Sequence, residues 1–246
     1  MLKSASTHNP GVTLLCNWVD LDDKVREMVT KAWGPDVLFF NIDNETWGGM
    51  FAYHKINQLT KMPLKDGDEV VMLDVDTMVQ GSLFDVFESV FDIGYTSRPS
   101  LADDVPLWRR KVSHELPVNL GYTAFRWSDR VARFVDIWSL QIMSPTWSPY
   151  MWLMERYARV DSHCLCGDQD LICAIVLENH NPFVQVAFTD LTSKYNWFPD
   201  VDQKHHQEQA WEQIKPKLGD GNYRVIHLKG HLKPLASRIA EALCLL

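Results

Sequence analysis

The sequence is poor in the features that mark secreted, membrane-spanning or nucleic-acid-binding chains. Its five cysteines are an odd number in 246 residues. The one close pair, Cys164 and Cys166 in "SHCLCGDQD", is C-x-C rather than C-x-x-C, so neither a disulfide framework nor a structural zinc site is expected. The reading that follows is a cytoplasmic protein with reduced thiols, mostly filling the core. The opening residues, MLKSASTHNPG, hold no apolar segment of the signal-peptide kind. No apolar run nears the roughly 20 residues a bilayer span needs, and Cys244 stands third from the end, out of place for prenylation. Basic residues form no stripe. The 24 Lys and Arg are outnumbered by 32 Asp and Glu, a formal net charge of -8, which argues against a nucleic-acid backbone as the main partner. Low-complexity tracts and internal repeats are absent as well.

What is present is a chain with 46% hydrophobic residues, enough to bury a single large core. Short apolar runs alternate with helical periodicity. VTLLCNW (12–18) reads as a strand. LDDKVREMVTKAW follows as a helix with Val25, Met28, Val29 and Ala32 at helical spacing, opened by Asp22 and Asp23. VLFFNI is a second strand, and a helix is expected from about Met50. VVMLD, FDIGYTS and NLGYTAFRW are further strands. SDRVARFVDIWSLQIM is an amphipathic helix capped by Ser128. DQDLICAIVLENH reads as a more buried helix, FVQVAF and YRVIHL as short strands, and PLASRIAEALCLL as a closing helix that opens on Pro234. This alternation predicts one α/β domain over 1–246, with a mixed, mostly parallel sheet flanked by helices. The polar segment 101–118 and the Trp- and Tyr-rich segment 144–163 are expected to be specificity loops.

"GDEVVMLDVDTMVQ" runs an apolar strand straight into Asp74 and Asp76. A side-chain period of two lets both point the same way, and the carboxyl ends of strands are where ligands gather in open α/β sheets. Two hard oxygen ligands there suit Mg²⁺ or Mn²⁺ shared with phosphates. A turn in which both carboxylates cap the next helix is the plain alternative. A third reading is the D-x-D of haloacid-dehalogenase-type phosphatases, in which the first Asp is a nucleophile. That pattern wants Thr or Val at the position of Met78, and it usually opens the chain.

Far downstream, "VIHLKGHLKP" carries His227, Gly230, Lys233 and Pro234 as H-x-x-G-x-x-K-P. An imidazole at a strand end can complete a metal shell begun by two carboxylates. Gly230 allows close backbone approach to a phosphate. Lys233 supplies a mobile point charge for a diphosphate, with Lys229 as a second. Alone, His227 is more simply a structural histidine in a basic turn. Together with the D-x-D, the set asks for a metal-bound diphosphate.

The joint pattern resembles the glycosyltransferases of the GT-A fold, closest to family 8, the group of glycogenin and bacterial galactosyltransferases. Further pieces match in order: "FAYHKINQL" with Lys55, "DTMVQGSLFDVF", "VNLGYTAFRWSDR" with Asn119 and Gly121, and "CGDQDLICAIV". The similarity spans Val12 to Pro234. Departures are Leu120 where the family has Ser, the missing Asn after DQDL, and Leu235 after the K-P pair.

The resemblance implies a metal-dependent transferase that moves a sugar from a nucleotide-diphosphate donor, UDP-linked by expectation, to a glycan, protein or small-molecule acceptor with retention. Residues 12–125 would form the donor half and 126–246 the acceptor half. Asp74, Asp76 and His227 would hold Mn²⁺ or Mg²⁺. Asn17, Lys55, Asp74, Asn119, Gly121, Gly230 and Lys233 would contact the donor. Asp168 and Gln169, with Asp170 as the alternative, would lie beside the anomeric carbon. Trp108, Trp147 and Trp152 could stack on a sugar, and Asp103 and Asp104 could meet a hydroxyl, although core or loop roles are the default for each. The amphipathic C-terminal helix could dock on a membrane surface, with packing on the domain as the default. A haloacid-dehalogenase-like phosphatase and a non-catalytic nucleotide-sugar-binding protein are the competing readings.

Overall fold

The computed structural model describes residues 1–19, 21–42, 51–97, 118–143, 168–169, 171–172, 175, 185–191, 193–199, 207–228 and 232–243. Helix α1 (Leu2–His8) precedes strand β1 (Leu14–Val19), helix α2 (Asp23–Trp33) and strand β2 (Val37–Ile42). The expected cap of α2 is in place, since the Asp22 carboxylate accepts from the Val25 N–H at 2.7 Å. Of its four periodic apolar residues Val29 is buried, whereas Met28 is 62% exposed. β1 and β2 pair in parallel, Leu14 with Val37 through Val19 with Ile42.

Helix α3 (Phe51–Asn57) leads to β3 (Glu69–Leu73) and the short β4 (Thr77–Val79). Then come β5 (Ile93–Ser97), β6 (Val118–Arg126) and helix α4 (Asp129–Met143). Ser128 caps α4 as expected, its Oγ accepting from Val131 N–H at 3.3 Å. The chain closes with β7 (Phe188–Asp190), α5 (Gln207–Ile214), β8 (Val225–His227) and α6 (Leu235–Ala242).

The main sheet has the order β3-β6-β5-β7, and β4 pairs separately with β8. The sheet is mixed, as expected, but its balance differs. Among the described strands β1–β2 and β5–β7 are parallel, while β3–β6, β5–β6 and β4–β8 are antiparallel. Alternating strand and helix patterns cannot report this, because the order of elements along the chain does not fix which strands pair or in which direction. The strand expected at FVQVAF lies later, at Phe188–Asp190. There, Ala187 N–H donates to the buried Asp92 carboxylate at 2.8 Å, and Arg130 clamps the other oxygen at 2.6 Å. Helices α1 and α5 and strand β4 had no reading in the sequence. Cys16, in β1, is a free thiol.

β6 is the centre of the molecule. All its residues but Arg126 are buried, so polar Asn119 and Thr123 lie inside beside Leu120, Tyr122 and Phe125. One face of the sheet packs on α3 and α4 through Ile56, Ile93, Phe134 and Trp138. A second cluster gathers Val79, Phe87, Phe91, Tyr122 and Tyr195 with Ala5 of α1. A third joins β4 and β8 to α5 and α6 through Met78, Ile226, Trp211 and Ile239.

Helix α1 is anchored by two side chains. Ser4 Oγ accepts from Val79 N–H at 3.2 Å, and Asn9 Oδ1 accepts from Leu83 N–H at 2.8 Å, both buried. Asn9→Ala strands the Leu83 N–H in the core, and the expected loss is about 1–3 kcal/mol of stability. Urea unfolding with an unchanged m-value is the check.

Candidate active site

The apolar strand β3 ends where β6 turns over it, and the chain leaves the sheet as the turn Asp74–Asp76. Asp74 N–H donates to Gly121 C=O at 3.0 Å, and the Thr77 hydroxyl to Asp74 C=O at 2.8 Å. Across the β4–β8 ladder Thr77 sits opposite His227, and Leu228 N–H donates to Asp76 C=O at 2.7 Å. Backbone bonds therefore fix both aspartates beside an imidazole 151 positions away in sequence. His227 Nε2 lies 3.0 Å from Asp76 Oδ1 and 3.8 Å from Asp74 Oδ2. The ligand atoms of the three residues all lie within 4.8 Å of one another. Two carboxylate oxygens and one imidazole nitrogen converging on one point form a donor set that fits a divalent ion such as Mn²⁺ or Mg²⁺.

The electrostatics agree with that fit. Burial pushes the Asp76 carboxyl up, but the hydrogen bond and charge of His227 and the Lys233 ammonium outweigh it and bring the pKa down to about 2. Because this folded value is depressed, the pairing stabilises the fold above the ordinary carboxylate pKa of 3.8 and is lost as pH falls toward 2. Lys233 Nζ stands 3.4 Å from Asp76 Oδ2 and is largely exposed, free to swing toward an anion.

Lys55 is a different kind of cation. Its ammonium has three N–H bonds, and three acceptors surround it: Asp74 Oδ1 at 2.7 Å, Asp168 Oδ2 at 2.7 Å and Leu120 C=O at 3.2 Å. Burial alone would lower its pKa, yet Asp168 and Asp74 more than reverse this and raise it. The ammonium is thus charged at neutral pH and holds its proton further into alkali than an ordinary lysine. Lys55, expected among the donor-binding residues, ties the D-x-D turn to Asp168. The Asp168 backbone carbonyl is itself held by Trp138 Nε1–H at 2.9 Å. Gln169 lies beside it, and its buried Oε1 has no hydrogen-bond partner among the described residues.

The remaining expected site residues divide. Asn119 and Gly121 lie beneath the imidazole: Asn119 Oδ1 accepts from Gly121 N–H at 2.9 Å, and both are buried. A Cβ at Gly121 would meet His227 Nδ1 at 2.2 Å, so this glycine is required by the ring stacked on it. Asn17 is exposed on β1, in the β1–β2 pair that shares no strand pairing with β3, and it enters none of the contacts around Asp74, Asp76 and His227. Asp170, Lys229, Gly230, Asp103, Asp104, Trp108, Trp147 and Trp152 lie outside the described residues. The sequence reading missed Asn196, which contacts His227 Nδ1 through Oδ1 at 3.0 Å, and Thr96, which contacts Asn196. A polar turn such as SKYNW carries no signal of this, since only the tertiary fold buries it.

The chain is similar to the apo form of mouse xyloside xylosyltransferase 1, with a TM-score of 0.54, 14% identity, and coverage of 94% of this chain and 91% of that one. The fold is that of a glycosyltransferase. It is also similar to the apo-form glycosyltransferase GlyE of Streptococcus pneumoniae TIGR4, with a TM-score of 0.50, 14% identity and 94% of this chain covered. The chain spans about half the length of GlyE, 50% of it being covered. No family model and no curated protein matches the sequence.

Gly121→Ala is expected to push His227 off the two aspartates. Affinity for Mn²⁺ should fall by about 10–100-fold, as when a supporting contact of a metal ligand is lost, with about 1–3 kcal/mol of overpacking strain. Mn²⁺ titration by electron paramagnetic resonance and a urea melt read the two effects separately.

Proposed function

We propose that this protein is a metal-dependent glycosyltransferase of the GT-A type, resembling family 8, that transfers a sugar from a nucleotide-diphosphate donor. The observation that carries the reading is the convergence of Asp74, Asp76 and His227 on one point, in a chain with a glycosyltransferase fold. The three carboxylates of Asp74, Asp76 and Asp168 face the two ammonium groups of Lys55 and Lys233. With a neutral imidazole this leaves one net negative charge, and a divalent ion turns it into one net positive charge, suited to a diphosphate.

A divalent ion held by these residues would supply Lewis acidity that offsets the charge building on the leaving diphosphate. The protein's own part is positional. Lys233, on a mobile stem, closes on the diphosphate as an electrostatic clamp. Lys55 fixes the Asp168 carboxylate relative to the D-x-D turn, so the group assigned to the anomeric centre and the groups assigned to the diphosphate form one rigid unit. Gln169 Oε1, which has no partner among the described residues, would accept from a sugar hydroxyl. In this reading UDP is the nucleotide, Mn²⁺ the ion, and the anomeric configuration is retained, as in the family it resembles; the acceptor is a glycan, a protein or a small molecule. Gly230 and Asp170 keep the donor and alternative catalytic roles that the motif implies.

A phosphatase with Asp74 as nucleophile would leave His227 without a role, whereas here its Nε2 converges with both aspartates in a chain with a glycosyltransferase fold. Among the described residues no helix is long and apolar enough to cross a membrane.

Thermal melting with UDP or GDP, each with and without Mn²⁺, tests the reading. A ligand at a hundredfold its dissociation constant adds about 2.7 kcal/mol, a rise of about 5–10 °C for a chain of this size. The rise should need both Mn²⁺ and one nucleotide, and it should vanish in Asp76→Ala and His227→Ala. A Mn²⁺-independent rise, or none with either nucleotide, would overturn it. Sugar release or transfer from the matching nucleotide sugar then separates an enzyme from a binding protein.

A further inference from the structure

We infer that Asn196 is a positioning residue that locks His227 in its Nδ1–H tautomer and so turns a bare Nε2 lone pair toward Asp74 and Asp76; this rests on the metal-site reading above. The assignment follows from groups whose hydrogen-bonding roles cannot be exchanged. The backbone N–H of Gly121 can only donate, and it reaches the Asn119 side chain at 2.9 Å, so that end of the Asn119 amide is its oxygen. This oxygen and the Asn119 backbone carbonyl can only accept. Both meet one end of the Asn196 amide, at 2.5 and 3.2 Å, and that end must therefore be the NH₂. The Thr96 hydroxyl donates to the same carbonyl at 2.6 Å and accepts from this NH₂ at 2.8 Å. The opposite end of the Asn196 amide is then an oxygen, 3.0 Å from His227 Nδ1. An amide oxygen accepts only, so Nδ1 carries the hydrogen.

Thr96, Asn119, Asn196 and His227 are all at most 2% exposed. Bulk water is excluded, and the chain of bonds has no other way to satisfy itself. With its Nδ1–H held by Asn196, the ring presents Nε2, the nitrogen that would ligate an ion, to Asp76 Oδ1 at 3.0 Å and Asp74 Oδ2 at 3.8 Å. Acceptor atoms gathered within 4.8 Å of one another favour a cation between them. The action of Asn196 runs through the far nitrogen of the ring, as partners behind metal-ligating histidines do elsewhere.

The test uses the full-length, metal-free protein labelled with ¹⁵N, and imidazole ¹H–¹⁵N correlation spectra recorded above the histidine titration range. The His227 signals are assigned by their loss in His227→Ala. The expected spectrum is that of an Nδ1–H ring. In Asn196→Leu, which keeps the volume and removes the acceptor, the ring should turn to the Nε2–H form, and Mn²⁺ alone should bind about 10–100-fold more weakly. An Nε2–H ring in the unmodified protein would overturn the inference even if the variant fails to fold. So would an unchanged tautomer with unchanged Mn²⁺ affinity in Asn196→Leu. An Nδ1–H ring in a protein with no affinity for Mn²⁺ would uphold the tautomer and overturn the metal reading.

Discussion

Three residue pairs between β4 and β8 hold the candidate site together. Thr77 opposite His227 is the end of that ladder, and the backbone bond from Leu228 N–H to Asp76 C=O at 2.7 Å continues it by one step. Without this pairing the D-x-D turn would be two carboxylates at the lip of a sheet, and His227 a basic residue near the far end of the chain. The rest of the fold serves to hold this short ladder. Apolar packing of α5 and α6 covers one side, α1 is bonded to Val79 and Leu83, and Arg224 next to β8 is anchored on Asp85 at 2.9 Å.

The electrostatic design is one of shared carboxylates. Asp74 faces Lys55 with one oxygen and the imidazole with the other, and Asp76 divides in the same way between His227 and Lys233. Each aspartate divides its two oxygens between two partners, and these contacts offset part of the desolvation cost of the half-buried cluster. The two cations differ in kind. Lys55 is enclosed by acceptors on every N–H, while Lys233 is exposed and carries one long contact. One is a fixed part of the frame and the other is available to a ligand.

The parts legible in the sequence were those set by local chemistry. Asp22 and Ser128 each precede a periodic apolar segment, and each caps a helix. The apolar run before Asp74 is a strand because nothing polar interrupts it, and Asp74, Asp76 and His227 were found because metal-ligand residue types at strand ends are unusual. What escaped was set by tertiary contact. Met28 has helical spacing but faces outward, since α2 meets the body through a narrower stripe than its apolar residues mark. Asn119 and Gly121 were recognised as a motif, but their place beneath a ring from β8 depends on a pairing across more than a hundred residues. Asn196 is a polar residue in a polar turn, and its burial is a property of the fold alone.

The ladder also sets an order of events in the making of the protein. His227 is 151 positions beyond Asp76, so all of that intervening chain must be made before the third candidate ligand can reach the other two. Contacts of such long range form late, after loop closure has been compensated by other structure. Lys55, only 19 residues from Asp74, can neutralise the D-x-D turn long before that. The half-buried turn thus has a lysine partner close by in sequence, whereas its imidazole partner depends on a pairing of far longer range.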